Sequence, residues 1–305
     1  MFSSTLSTFI SFAALTSAIP TSLLLTERLA SGASSYKYLF TFGDSYSQTG
    51  FDIKGTKPSA SNPIGNPNFP GYTTSGGNNW LTYLSKTPNP SLLTYNFASG
   101  GATTSAALVK PYTSTVLSLI DQVSLFTSNL ATTPHPNYAP WTSSDTLFGI
   151  WIGVNDVGNA WSSSNWASLS QNIIDVYMQQ VDKLYAGGAR QIALLTVPPI
   201  ELTPLVAKQG SATQVAEGKA VVRYNDSLKA AVEKWRAGKG DGVKIWVVDT
   251  APAFNAAVKS PSSYGARDAL CYNSDGVSCL WYNDYHPGQA IQKLVGQAVQ
   301  AAVGL

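Results

Sequence analysis

Histidine and cysteine are almost missing from this sequence, with two of each among 305 residues. The shortage of histidine narrows the choice of general base, because imidazole is the one side chain whose unperturbed pKa lies between pH 5 and 8. Two cysteines without neighbouring histidines do not fill the four-ligand shell of a structural zinc. Charge is thin as well: Asp, Glu, Lys and Arg make up 12% of the chain, against about 25% in ordinary soluble domains. The net charge is +2, and no run of Lys or Arg is present to follow a phosphate backbone, which excludes nucleic acid as a partner. Beyond residue 18 no stretch approaches the roughly 20 apolar residues that cross a bilayer, so no membrane anchor is expected.

What is present is a large apolar fraction, 44%, enough for a sizeable core. Residues 9–15 are mostly apolar and Leu15-Thr16-Ser17-Ala18 ends in small side chains. This reads as a signal peptide over 1–18, although no basic residue precedes Glu27. A leader over 19–35 and one domain over 36–305 follow, and the protein is expected to be secreted and monomeric. Export agrees with the cysteines, since an even count in an exported chain favours a bridge, here Cys271–Cys279. A loop that short contributes on the order of 2–3 kcal/mol, and it stiffens the segment that leads to His286; two unpaired buried thiols are the alternative. Asn225-Asp226-Ser227 is an N-glycosylation sequon, set in a helical stretch.

Hydrophobic periodicity then orders the chain. Strands are expected over 38–42, 93–97, 146–152, 191–197 and 243–248. Helices are expected over 78–84, 114–130, 166–186, 211–237 and 287–303, with Gly187-Gly188 as one stop signal. The run over 146–152 is apolar throughout, as befits a strand buried on both faces. Alternation of this kind implies an α/β fold with a parallel sheet between helix layers. The stretch from Gly55 to Gly77 is too long for a plain connection and has room for a small extra element.

Ligands of open parallel sheets bind beyond the carboxyl ends of the strands, and four segments fall there. Gly43-Asp44-Ser45 follows the first strand and Gly100-Gly101 the second. Gly153-Val154-Asn155-Asp156 follows the third, and Asn283-Asp284-Tyr285-His286-Pro287 precedes the last helix. Any one of them is usually a turn or a cap. Together they make a serine hydrolase: Ser45 as nucleophile, His286 to take and return its proton, and an oxyanion hole from the N–H groups of Ser45 and Gly101 and the Asn155 amide.

With these blocks in this order, the chain resembles the GDSL/SGNH hydrolases. It is most similar to fungal secreted acetylesterases of carbohydrate esterase family 16, on the strength also of residues 62–67, 75–80 and 96–103. The resemblance covers nearly the whole chain after the leader. It implies a flavodoxin-like three-layer α/β/α sandwich, esterase activity without a cofactor or metal, and acetylated sugar or another short-chain ester as substrate. It places the family's serine, glycine, asparagine and histidine on Ser45, Gly101 (or Gly100), Asn155 and His286. A lipase or phospholipase of the same superfamily, or a carbohydrate-binding protein that has lost catalysis, are the rival readings.

The chain departs from the family at one place: Asn283 stands where the pattern has an aspartate, three residues before the histidine. Either Asn283 orients His286, or Asp284 does so with a shifted backbone, or the pair works alone. Elsewhere, His135 lies between prolines and reads as surface. Trp80, Trp281, Tyr72 and Tyr282 line a sugar cleft or fill the core. Asp52 and Asp156 read as turn or capping residues.

Overall fold

Five apolar segments form the strands of a single sheet: β1 (Tyr38–Gly43), β2 (Leu93–Asn96), β3 (Thr146–Trp151), β4 (Gln191–Leu195) and β5 (Lys244–Val248). The structure, a computed structural model, describes residue 1, residues 36–86 and residues 92–305; the expected signal peptide and leader otherwise lie outside the described residues. Every residue of β1 and β3 is buried, as their unbroken apolar runs require of strands covered on both faces. All pairings are parallel, in the order β2-β1-β3-β4-β5. The register sets Tyr38 beside Leu93 on one flank and Thr146 on the other. The chain therefore winds outward to β2, then reverses through β3, and the switch between β1 and β3 opens the crevice.

The main helices are α1 (Trp80–Lys86), α2 (Leu119–Asn129), α3 (Val154–Ala160), α4 (Trp166–Ala186), α5 (Pro204–Ala207), α6 (Ser211–Ala237), α7 (Ala251–Lys259) and α8 (Gln289–Val303). α8 packs on α1 and α7, while α4 packs on α2, α3 and α6. These two groups are the outer layers of the expected flavodoxin-like sandwich. The core is strongly aromatic. Phe40 lies 5.3–5.5 Å from the rings of Tyr95, Phe126, Trp141 and Phe148, contacts that each add about 0.5–1.5 kcal/mol beyond simple burial. A second aromatic file, Trp80–Trp151–Tyr46–His286, runs from the core to the surface.

Four stretches differ from expectation. α2 starts at Leu119 rather than 114, because Ser118 and Asp121 form a capping box that fixes the first turn. α3 and α7 occupy segments without a clear periodic signal. Residues 55–77 contain no helix or strand. They are held by side chains instead: the Asn66 amide bonds to the Asp52 and Thr56 carbonyls at 2.8 and 2.9 Å.

Candidate active site

The nucleophile turn begins where β1 meets β3. A Cβ on Gly43 would lie 2.2 Å from the Trp151 carbonyl oxygen, so only glycine passes there. Gln122 brackets the same residue, accepting from its N–H and donating to its carbonyl, both at 2.8 Å. Every carbonyl of the following turn is occupied. Thr74 donates to Ser45 at 2.6 Å, Gln292 to Tyr46 at 3.1 Å, Asn96 to Ser47 at 2.7 Å, and Asn79 to Ser47 and Gln48 at 3.0 and 3.1 Å. The N–H groups of Ser45 and Gly101, by contrast, meet no acceptor among the described residues.

His286 reaches this turn from the far end of the chain. Its Nε2 lies 2.8 Å from the Ser45 Oγ. Tyr46 donates its hydroxyl to the Tyr285 carbonyl at 2.6 Å, and Tyr282 N–H bonds to the His286 carbonyl at 2.8 Å. Burial holds the His286 pKa down to about 4, with the neighbouring Asp284 charge opposing, so the imidazole is neutral at physiological pH and has a lone pair to offer.

Asn283 fills the position beside the ring. Its Oδ1 accepts from His286 Nδ1 at 2.9 Å and from the backbone N–H groups of Tyr285 and His286 at 2.9 and 2.8 Å. Asp284 instead offers its backbone carbonyl to Leu205 N–H at 2.8 Å, and acts on the imidazole only through space.

The remaining blocks are tied to one another. Asn155, on the first turn of α3, donates from Nδ2 to the Ala102 carbonyl at 2.9 Å, which leaves its second amide hydrogen for a ligand. Gly101 adopts φ +80°, the left-handed conformation that glycine takes without cost; Gly100 has no positive φ. The loop is anchored beneath by Asp156. Its two oxygens accept from Thr104 N–H at 3.0 Å each, and one also accepts from the Thr104 hydroxyl at 3.2 Å.

The sequence reading took Asp156 for a turn or capping residue. It is fully buried, and burial raises its pKa to about 7. Asp44 is equally buried and raised to about 7, against the lowering effect of the Tyr46 and Val154 N–H groups. The clue was position: each carboxyl adjoins a reactive block residue.

Three kinds of resemblance now bear on this geometry. A family model described as GDSL-like lipase/acylhydrolase matches residues 39–299. The chain belongs to that family. This acylhydrolase is 55% identical over 270 residues to a curated acetylesterase from Thermothelomyces thermophilus, with 88% of each covered. It is 23% identical to an acetylesterase from Hypocrea jecorina, covering 86% of this chain and 87% of that one. Among solved structures, an acetylxylan esterase from Geobacillus stearothermophilus shares the fold, with a TM-score of 0.51 at 15% identity over 88% of this chain and 94% of the other.

Other expected residues separate clearly. Cys271 and Cys279 are bonded, with Cα atoms 5.4 Å apart. Trp80 and Trp281 are fully buried and belong to the core rather than to a cleft, whereas Tyr72 is exposed and Tyr282 half-buried. His135 stacks on Trp141 at 4.4 Å, half-buried rather than free at the surface. Asp52 caps its own turn through Lys54 N–H at 2.8 Å. Asn225 is correctly placed on a helix, but both ends of its amide are engaged. Oδ1 accepts from Val197 N–H at 2.9 Å and Nδ2 donates to the Val197 carbonyl at 2.8 Å. A glycan on that nitrogen would disrupt the bridge, which argues against the glycosylation reading. Among the described residues no group of His, Cys, Asp and Glu is placed to hold a metal, and no helix is long and apolar enough to cross a membrane.

Proposed function

We propose that this acylhydrolase is a secreted, monomeric acetylesterase that removes acetyl groups from plant cell-wall sugars, acetylated xylo-oligosaccharides being the representative substrate. One observation carries the reading: a neutral imidazole 2.8 Å from the Ser45 hydroxyl, with its other nitrogen held by Asn283. The acetylesterase relative at 55% identity supports the choice of acyl group. The apolar N-terminal stretch supports secretion.

In the first half-reaction His286 Nε2 takes the hydroxyl proton as Ser45 Oγ adds to the ester carbonyl carbon. The resulting oxyanion is received by the N–H groups of Ser45 and Gly101 and the free Asn155 amide hydrogen. Collapse breaks the bond to the sugar oxygen, which leaves with the proton from His286. In the second half-reaction water loses a proton to His286 and adds to acetyl-Ser45. The ester bond to Oγ then breaks, Oγ recovers the proton, and acetate is released. Acetate release from acetylated xylo-oligosaccharides by wild type and Ser45→Ala tests this reading. Release should disappear in the variant; an undiminished rate would overturn the assignment.

A further inference from the structure

The carboxyl edge of the sheet carries a groove of about 500 Å³ that the acyl-transfer chemistry leaves unused, a size within the range of ligand pockets. Gln48, Asp52, Lys54 and Tyr72 form its walls, and Phe97 and Leu125 lie among its apolar lining.

Short links join this groove to the serine. Gln48 is three residues beyond Ser45, and its Oε1 rests 2.2 Å from where a Cβ on Gly100 would be, beside the residue whose N–H faces the oxyanion. Thr74, which fixes the Ser45 carbonyl, is two residues beyond Tyr72. Gln48 and Gly100 thus bring one wall of the groove up to the oxyanion loop.

Tyr72 is 72% exposed yet held in place. Its N–H donates to the Thr49 carbonyl at 2.8 Å, its carbonyl accepts from Gln48 Nε2 at 3.3 Å, and its ring lies against Gly50, 2.8 Å from the position of a Cβ. On the oxyanion side, Tyr112 is 79% exposed and its ring sits over Gly101, 2.2 Å from the equivalent point. Two aromatic rings are thus positioned by glycines with large areas left open to water. A pyranose suits such a place, since its C–H face covers an aromatic ring while its hydroxyls need donors and acceptors. Gln48, Asp52 and Lys54 supply both. A fatty acyl chain would leave those polar walls unsatisfied.

We propose that this groove is the subsite for the sugar unit adjoining the acetylated one, with Tyr72 as its stacking platform and Tyr112 at the boundary with the acetyl site. The proposal rests on the acetylesterase reading and adds a second sugar to it.

The test compares 4-nitrophenyl acetate, which has no second sugar, with acetylated xylotriose for wild type, Tyr72→Ala and Tyr72→Phe, each checked for a wild-type melting curve. Tyr72→Ala should raise KM for the oligosaccharide about 3- to 10-fold, with kcat and the nitrophenyl acetate kinetics unchanged. Tyr72→Phe should restore binding, because stacking does not need the hydroxyl. An equal loss on both substrates, no loss on either, or a loss confined to nitrophenyl octanoate would overturn the subsite. Wild type active on nitrophenyl acetate but inert on the oligosaccharide would overturn the underlying reading of acetylated sugar as substrate, and the subsite with it.

Discussion

Asn283 presents its carboxamide oxygen to His286 Nδ1 at 2.9 Å, and it has no freedom to present its nitrogen instead. Two backbone N–H groups, from Tyr285 and His286, point at the same oxygen. Turning the amide over would set its NH2 against three donors. In a trypsin-like triad, asparagine in place of aspartate lowers kcat about 10⁴-fold because the imidazole is left in the wrong tautomer. Here the local backbone prevents that: Nδ1 carries the proton and Nε2 stays open toward Ser45.

Replacing Asn283 by alanine should therefore lower kcat about 10- to 10³-fold, short of the cost of the wrong tautomer, with KM nearly unchanged. Asn283→Asp should keep activity within a few-fold, since a carboxylate oxygen accepts the same three bonds. The added negative charge favours the imidazolium and raises the His286 pKa, so the acid limb of kcat/KM should move to higher pH. Unchanged rates in both variants would remove Asn283 from the machinery.

For wild type the same reasoning places the acid limb low. Burial keeps His286 neutral down to about pH 4, whereas a free imidazole would be half protonated near 6.5. The plot of kcat/KM against pH for an uncharged ester should show no loss of the His286 base from pH 8 to about 5, any step near 7 belonging to Asp156. An inflection at 6.5 or above that persists in Asp156→Asn would contradict the burial argument.

Asp156 acts on the oxyanion loop through Thr104, as a positioning residue. Asp156→Ala should lower kcat by no more than the roughly 10²–10³-fold of a lost oxyanion donor, while KM changes little. Asp156→Asn, which keeps one acceptor oxygen, should recover part of the loss. Fluorophosphonate labelling of Ser45 should slow in parallel; a fall in melting temperature with normal labelling would mark a purely structural role.

Stability should rise on mild acidification. Asp44, Asp156 and Glu217 are each raised to about 7 by burial, with Glu201 adding to the effect on Glu217. Between pH 4 and 7 the folded state holds these protons and the unfolded state releases them, so stability falls as pH rises through that window. His286 acts in the opposite sense, favouring the folded state less as pH drops from 6.5 to 4. Three groups outweigh one, and the melting temperature at pH 5 should exceed that at pH 8 by at least a few degrees. Equal values would show that these carboxyls ionise freely in the fold.

Some of this was readable from residues alone, and for identifiable reasons. β1 and β3 are apolar throughout because both faces are covered, and α4 and α6 carry long periodic patterns that end at glycine. The Ser45–His286 pair followed from the scarcity of bases. What escaped were effects between distant segments. Thr104 and Asp156 are 52 residues apart, and nothing in either stretch announces the other. Asn225 read as a glycan acceptor because its bond to Val197 crosses from α6 to the end of β4. α3 escaped because it is short, with only Val154, Asp156 and Val157 turned inward.

The hydroxyl and the imidazole that meet at 2.8 Å are 241 residues apart in the chain. A polypeptide still short of residue 286 lacks both the group that accepts the proton and Gln292, which fixes the Tyr46 carbonyl in the nucleophile turn. Base and orienting amide sit within four residues of each other near the C-terminus, so removal of the chain from Asn283 onward takes both away at once and should abolish hydrolysis.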